Sequence, residues 1–337
     1  MIRVALDVMG GDYAPLETIE GGLLAVSELK DLQLYFVGPL NILEDNLRHK
    51  SYPENRVKLI DAPEVITNDD QPVMAVRRKK NSSMIVAIKM VKDGKCDAMV
   101  SAGNTGALMA GSLLIAGRLQ GIERPALTVV APTFQGGNVV LLDLGANMDA
   151  NAKQLLHYGL MGRIYAREVL GKPSPRVGLL NVGVEAIKGT EQIKKAYQLM
   201  KENLPGFVGN IEARYVLDGV ADVVVSDGFA GNIFLKTVEG LVNGMFGALK
   251  NAFTGNVKSK LGAALLKPEI IALKNKLDYS EYGGAPLLGI DGIYIKGHGS
   301  SKARAVRSAI INQAYRYARH AVNSKIASEL SELAAKM

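Results

Sequence analysis

The chain has 337 residues, 48% of them hydrophobic and 22% charged, and a formal net charge of +7. That length buries a sizeable core and fits one large or two medium α/β units, and the balance of apolar to charged residues excludes a disordered chain. One cysteine, Cys96, excludes a disulfide framework; the four histidines (49, 157, 298, 320) are scattered, none beside another His or Cys at ligand spacing, so no essential metal is expected.

From the start, residues 4–8 form an apolar, β-branched run that ends in Met9-Gly10-Gly11-Asp12. No charged segment, apolar core and cleavage site precede it, and a cytoplasmic protein is expected. A basic run, Arg77-Arg78-Lys79-Lys80, leads through Asn81, Ser82 and Ser83 into an apolar helical stretch, which sets cations and hydroxyls at a helix start. Cys96 enters the next strand, 98–100, at the end away from its turn, a poor place for a catalytic thiolate. That strand passes through Ser101-Ala102-Gly103-Asn104-Thr105-Gly106 into another helix. The uncharged window 98–117 is interrupted by Ser101, Asn104 and Thr105, whose polar groups a bilayer core would leave unpaired, so it is not read as a membrane span.

The same grammar repeats three times. Strand 139–144 runs into Gly145-Ala146-Asn147-Met148-Asp149, strand 177–181 (ending in Asn181) into Val182-Gly183 and on to Lys188-Gly189-Thr190, and strand 223–225 into Ser226-Asp227-Gly228-Phe229-Ala230-Gly231-Asn232, with Lys236 following. Asp222 and Asp227 flank this last strand, but five extended residues span roughly 16 Å, too far to share one ion. Strands apolar on both faces and separated by helices predict an α/β fold with a mostly parallel sheet and helices on both sides. In such folds ligands lie beyond the carboxyl ends of strands. Glycine allows close approach of backbone to an anion, and Asn, Ser and Thr add neutral donors. The five turns together therefore point to a bound anion. No Walker A loop and no complete dinucleotide fingerprint is present.

The stretch 236–276 holds seven lysines against two glutamates, a net +5. Within it Phe246, Leu249, Phe253, Val257, Leu261 and Leu265 recur every three or four residues beside Lys250 and Lys258, predicting a basic amphipathic helix or helix pair over 240–278 that faces an anionic membrane, an acidic partner or its own core. Without Trp, and with few aromatics among the basic positions, nucleic acid is not an expected partner. Near the end, His298-Gly299-Ser300-Ser301 precedes a helical segment, which suggests a serine N-cap.

Seven motifs in order, "LDVMGGDYAP" (6–15), "AVRRKKNSSM" (75–84), "SAGNTGALMA" (101–110), "GLLNVGVEAIKG" (178–189), "SDGFAGNIFLKT" (226–237), "EYGGAPLLG" (281–289) and "KGHGSS" (296–301), resemble the bacterial phosphate acyltransferases of phospholipid synthesis, the PlsX family, over the whole chain. The resemblance implies a three-layer αβα fold of two intertwined halves, like phosphotransacetylase and the isocitrate and isopropylmalate dehydrogenases, making one domain over 1–337. It also implies transfer of a fatty acyl group from acyl carrier protein to inorganic phosphate without a cofactor, a homodimer, and peripheral contact with the membrane that holds a glycerol-3-phosphate acyltransferase. By this resemblance Asp227, Asn232, Lys236, His298, Ser300 and Ser301 are candidate catalytic residues. Asp7, Gly10, Gly11, Asp12, Arg77, Asn81, Ser82, Ser83, Gly103, Asn104, Thr105, Gly106, Asn147, Asn181, Gly183, Lys188 and Gly189 are candidates for holding phosphate or substrate. Lys250, Phe253, Val257, Lys258, Leu261 and Leu265 are candidates for meeting membrane or carrier protein. A metal- and NAD-dependent decarboxylating dehydrogenase and a non-catalytic membrane scaffold are the rival expectations.

Overall fold

The computed structural model describes residues 1–277 and 283–336, with the side chains of Val257 and of residues 274–277 outside that description. The expected contact at Val257, the last residue of segment 240–278, and Glu281 and Tyr282 of the 281–289 motif therefore lie outside the described residues.

Two sheets carry the strands. The first has seven, in the order β3 (Val57–Asp61), β2 (Leu32–Gly38), β1 (Ile2–Asp7), β4 (Ala98–Ser101), β12 (Tyr294–Lys296), β11 (Ala285–Leu288) and β5 (Ala126–Leu127). The second has five: β6 (Val129–Pro132), β7 (Asn138–Leu142), β10 (Val223–Val225), β8 (Val177–Asn181) and β9 (Phe207–Glu212). Within the first, β1, β2, β3, β4 and β12 are parallel; within the second, β7, β8, β9 and β10 are. Among the described strands, antiparallel pairing joins β5 to β11 and β11 to β12 on one side and β6 to β7 on the other. The central strands β1, β4, β7 and β10 are buried on both faces almost throughout, as their continuous apolar runs require.

The halves are laced together by the path of the chain. β5 belongs to the first sheet and β6, one residue later, to the second; the chain then builds β7 to β10 before β11 and β12 return to complete the first sheet beside β4. The helices are α1 (Leu16–Glu28), α2 (Leu40–Leu47), α3 (Pro72–Arg78), α4 (Ser83–Lys92), α5 (Thr105–Ile115), α6 (Ala152–Glu168), α7 (Glu191–Asn203), α8 (Gly228–Thr254), α9 (Val257–Leu277), α10 (Ala303–Ser308), α11 (Arg316–Arg319) and α12 (Val322–Lys336). A π-helical turn, Ala309–Tyr315, links α10 to α11. The last helix packs on α6, where Arg163 and Arg167 grip Glu329 at 3.0 and 2.9 Å. Elsewhere α1 meets α10 through Gly21, where an added Cβ would lie 2.5 Å from Val306.

The stripe over 246–266 is divided between two helices. α8 ends at Thr254, Gly255 and Asn256 make the turn, and the Asn256 side chain accepts from Ser259 N at 2.9 Å to start α9. Along this hairpin Leu241, Met245, Leu261, Leu265 and Leu266 are exposed. The expected serine N-cap before α10 is corrected: Lys302 holds that position with no capping side chain, and Glu17 of α1 reaches across to accept from Ala303 N at 2.7 Å.

Candidate active site

At the tips of β1, β4 and β12 the last residues form one row. Lys296 is in register with Ser101, and Ser101 with Asp7. Ser101 Oγ donates to Asp7 Oδ2 at 2.6 Å and accepts from Gly103 N at 3.1 Å. Asp7 is 2% exposed, and burial raises its pKa against the opposing Ser101 and Ser83 hydroxyls. Its Oδ1 is buried without a hydrogen bond. Lys296 is 9% exposed, and Nζ donates to the carbonyls of Ala102, at 3.4 Å, and Gly297. Burial lowers its pKa to about 8, while Asp12 and Asp7 pull it upward.

The two glycine turns above this row touch. A Cβ on Gly10 would lie 2.7 Å from Gly103 N and 2.8 Å from Asp7 Oδ2, so only glycine fits. Gly11 adopts φ +109° and packs on Gly299, and Asp12 N donates to Gly299 O at 2.8 Å, bringing His298 and Ser300 to the same edge. His298 Nδ1 and Ser300 Oγ stand 2.8 Å apart, and Ser301 N donates to His298 O. Asn104 caps α5 by accepting from Ala107 N at 2.9 Å, and its Nδ2 faces the carbonyls of Thr67, Asn68 and Asp70 at 3.2 to 3.4 Å. Its side chain ties the 67–70 loop to the helix start. Thr105 and Gly106 of the first turn remain exposed, with amides that have no intrahelical acceptor.

A second cluster closes the tips of β7 and β10. The fully buried Asp143 accepts at Oδ1 from Leu127 N and Ala146 N, at 2.9 and 3.1 Å, and at Oδ2 from Asn147 N and Nδ2, at 2.6 and 3.2 Å. Burial raises its pKa against those donors. Asn147 Nδ2 also donates to Pro125 O at 2.6 Å, and Asn147 O accepts from Gly228 N at 2.8 Å. Asp227 caps α8 by accepting from Ala230 N at 2.7 Å, and Asn232, one turn on, packs beside Gly145. At the tip of β8, Asn181 Nδ2 donates to Lys188 O at 3.1 Å, closing the Gly183 to Gly189 loop, with Lys188 exposed.

Other candidates, Ser83 excepted, stand apart from these tips. Lys236 lies exposed along α8 and pairs with Glu239 at 2.8 Å. Arg77 is exposed at the end of α3, and Asn81 N donates to Glu64 at 2.8 Å. Ser82 is buried with its hydroxyl on Lys79 O, whereas Ser83 lies beside Asp7. Asp222 is held by Arg176 and Lys172 at 3.1 and 3.4 Å, an ion-pair role. Cys96 is buried and its thiol is pushed up to about 12. Two residues central to the geometry, Lys296 and Asp143, were not anticipated as site residues. The signal that could have found them is a charged residue at the end of an apolar strand, within two residues of a glycine turn: Lys296 directly precedes Gly297, and Asp143 stands two before Gly145.

The turns offer neutral donors and helix starts, over a buried ammonium, to an anion. The family model described as "Fatty acid synthesis protein" matches residues 2–325. Proteins named phosphate acyltransferase from Alkaliphilus oremlandii and Brevibacillus brevis are 48% and 49% identical over 331 residues, spanning 98% of this chain and 97% and 98% of their own. Among solved structures, a phosphotransacetylase of Staphylococcus aureus superimposes with TM-score 0.62 at 14% identity, covering 94% of each chain. A branched-chain phosphotransacylase of Enterococcus faecalis gives 0.59 at 15%, covering 95% of this chain and all of that one. At such low identity these two establish a shared fold, that of the phosphotransacylases. The match over nearly its whole length places the chain in the family of fatty acid synthesis proteins whose relatives are named phosphate acyltransferases, and it is an acyltransferase.

Proposed function

We propose that this enzyme transfers a fatty acyl group from acyl carrier protein to inorganic phosphate, giving an acyl phosphate for a membrane glycerol-3-phosphate acyltransferase. The observation that carries the reading is the row Lys296, Ser101, Asp7 beneath two touching glycine turns. An ammonium set one layer under backbone amides and hydroxyls favours a multiply charged oxyanion at the strand tips. A phosphate oxygen attacks the thioester carbonyl, the carbonyl oxygen takes up negative charge, and collapse breaks the carbon–sulfur bond to release acyl phosphate and a thiolate that gains a proton. No covalent enzyme intermediate is needed; what the site supplies is alignment and donors for the developing oxyanion. Amides of the α5 start, with His298 and Ser300, serve as those donors, and Asp227 and Asp143 act as positioning residues through the α8 start and the 145–147 turn. The chain works as a homodimer that touches anionic membrane through the basic α8–α9 hairpin, whose exposed leucines supply apolar contact.

Purified protein given an acyl carrier protein thioester should release free thiol and form acyl phosphate only when phosphate is present. Thiol release that ignores phosphate would overturn the proposal.

A further inference from the structure

Between the two halves lies a cavity of about 490 Å³ that the clusters above do not fill. One wall is the face of α5 carrying Met109 and Leu113, four residues apart and both half-buried; Pro125 and Asn147 stand among the residues lining the rest. The cations Arg118 and Arg124 complete it, both exposed. Glu123 also borders the space, but Lys153 neutralises it at 2.9 Å, so positive charge prevails there. The cavity is in the size range of small-ligand sites and has their mixed lining.

Its position gives the proposal content. α5 begins at the Thr105 turn of the first cluster and runs 11 residues, about 15 Å, toward Arg118. Asn147 ties the cavity to the second cluster through Asp143. A ligand lying along α5 would therefore place one end at the turns and the other beside two guanidiniums, with apolar side chains between.

We propose that this cavity binds the phosphopantetheine arm of the acyl donor, thioester toward the α5 start and phosphodiester at Arg118 and Arg124. This inference rests on the acyl-transfer reading. Met109, Leu113 and Pro125 receive the apolar stretches of the arm, and Asn147, whose amide already donates to Pro125 O, offers its own carbonyl side to the arm's amides. Arg118 also donates to Glu123 O, which holds its guanidinium in place. The arm has the same chemistry on coenzyme A and on a carrier protein, and the donors used in the test separate these two sources.

The test compares acyl-pantetheine, acyl-4′-phosphopantetheine, acyl-coenzyme A and the acyl carrier protein thioester as donors, with phosphate saturating. The wild-type enzyme should prefer acyl-4′-phosphopantetheine over acyl-pantetheine in kcat/KM by roughly tenfold, the effect of one charge-assisted contact. In the double variant Arg118→Gln, Arg124→Gln that preference should fall to about unity, and 4′-phosphopantetheine should no longer compete with the donor. Because Arg118 also fastens its loop, Arg124→Gln alone should lose at least half of the preference while melting at the wild-type temperature. A preference of unity in the wild type, or one that survives both substitutions, overturns the inference. Failure of every donor to release thiol in a phosphate-dependent way overturns instead the reading beneath it. A wild type that uses the carrier-protein thioester and not acyl-coenzyme A identifies the protein-borne arm; the reverse identifies the free coenzyme.

Discussion

The hydroxyl of Ser101 donates to the buried carboxylate of Asp7 at 2.6 Å, across two neighbouring parallel strands and 94 positions of sequence. It also accepts from Gly103 N, so one oxygen fixes both the strand-end charge and the first amide of the next turn. Ser101→Ala removes the donor and leaves a buried carboxylate with less compensation, which should cost about 1–3 kcal/mol in urea unfolding. Activity should fall with it, mainly as a raised KM for phosphate. An unchanged KM would separate this pair from phosphate binding.

Lys296 titrates about 8, below its ordinary value, because burial disfavours its charge, while Asp7 and Asp12 face it. Above pH 8 the unfolded chain binds more protons than the folded one at this residue, so its contribution makes folding stability rise with pH from about 8 to the usual lysine range. Asp7 is shifted the other way: burial raises its pKa, so its contribution to folding stability is full below the ordinary aspartate value and is lost as pH rises from there through the raised folded value. The phosphate KM of the wild type should increase above pH 8 as the ammonium discharges, and Lys296→Met should raise it at all pH values and abolish that dependence. Steady-state kinetics from pH 6.5 to 9.5, an interval of roughly ±1.5 units about this group, checks both.

Asn104 has two jobs, capping α5 and holding the 67–70 loop. Asn104→Ala loses both and should cost about 1–2 kcal/mol. Asn104→Ser keeps a cap oxygen without the amide that faces the loop carbonyls. It should recover most of the melting temperature yet leave the loop more open to limited proteolysis. Full recovery of both properties would show that the loop tether contributes nothing.

Gly231 cannot carry a side chain: a Cβ there would stand 2.0 Å from Asp143 O and 2.5 Å from Ser226 Oγ. Gly231→Ala must push α8 away from the tip of β7. A loss of roughly 3 kcal/mol or more is expected, with turnover falling in the fraction that remains folded. Wild-type stability in thermal unfolding would mean that α8 moves without cost.

On the hairpin, Leu261 and Leu265 are 65% and 81% exposed. Leu261→Glu and Leu265→Glu should leave turnover on soluble substrates unchanged and reduce sedimentation with anionic liposomes severalfold, since each replaces apolar contact by a charge repelled from the surface. Equal liposome binding by both variants would place the membrane contact elsewhere.

Strand tips were legible because an apolar run ending at a glycine turn is a local signal: strands 177–181 and 223–225 were read with the bounds the structure gives them. The glycine turns were likewise found from a few adjacent residues. Partnerships were not. Lys296 meets Ala102 from 194 positions away, and the sequence alone pairs it with nothing. Asp143 gains its role from Asn147 in its own turn and from Leu127, which reaches it only through the passage of the chain from β5 to the second sheet. The turn around Asn104 has the composition of an anion-binding loop, but nothing local announces that its amide faces the carbonyls of the 67–70 loop. The expected serine cap failed for a similar reason, since Glu17 arrives from the opposite end of the chain.

β12 is inserted between β4 and β11, so the first sheet stays divided until nearly three hundred residues have left the ribosome. The second sheet, built from one continuous stretch, can assemble while the first still waits for its missing strand. Such long-range closure slows folding, and a chain halted before residue 294 would display an unzipped β4 edge to chaperones and proteases.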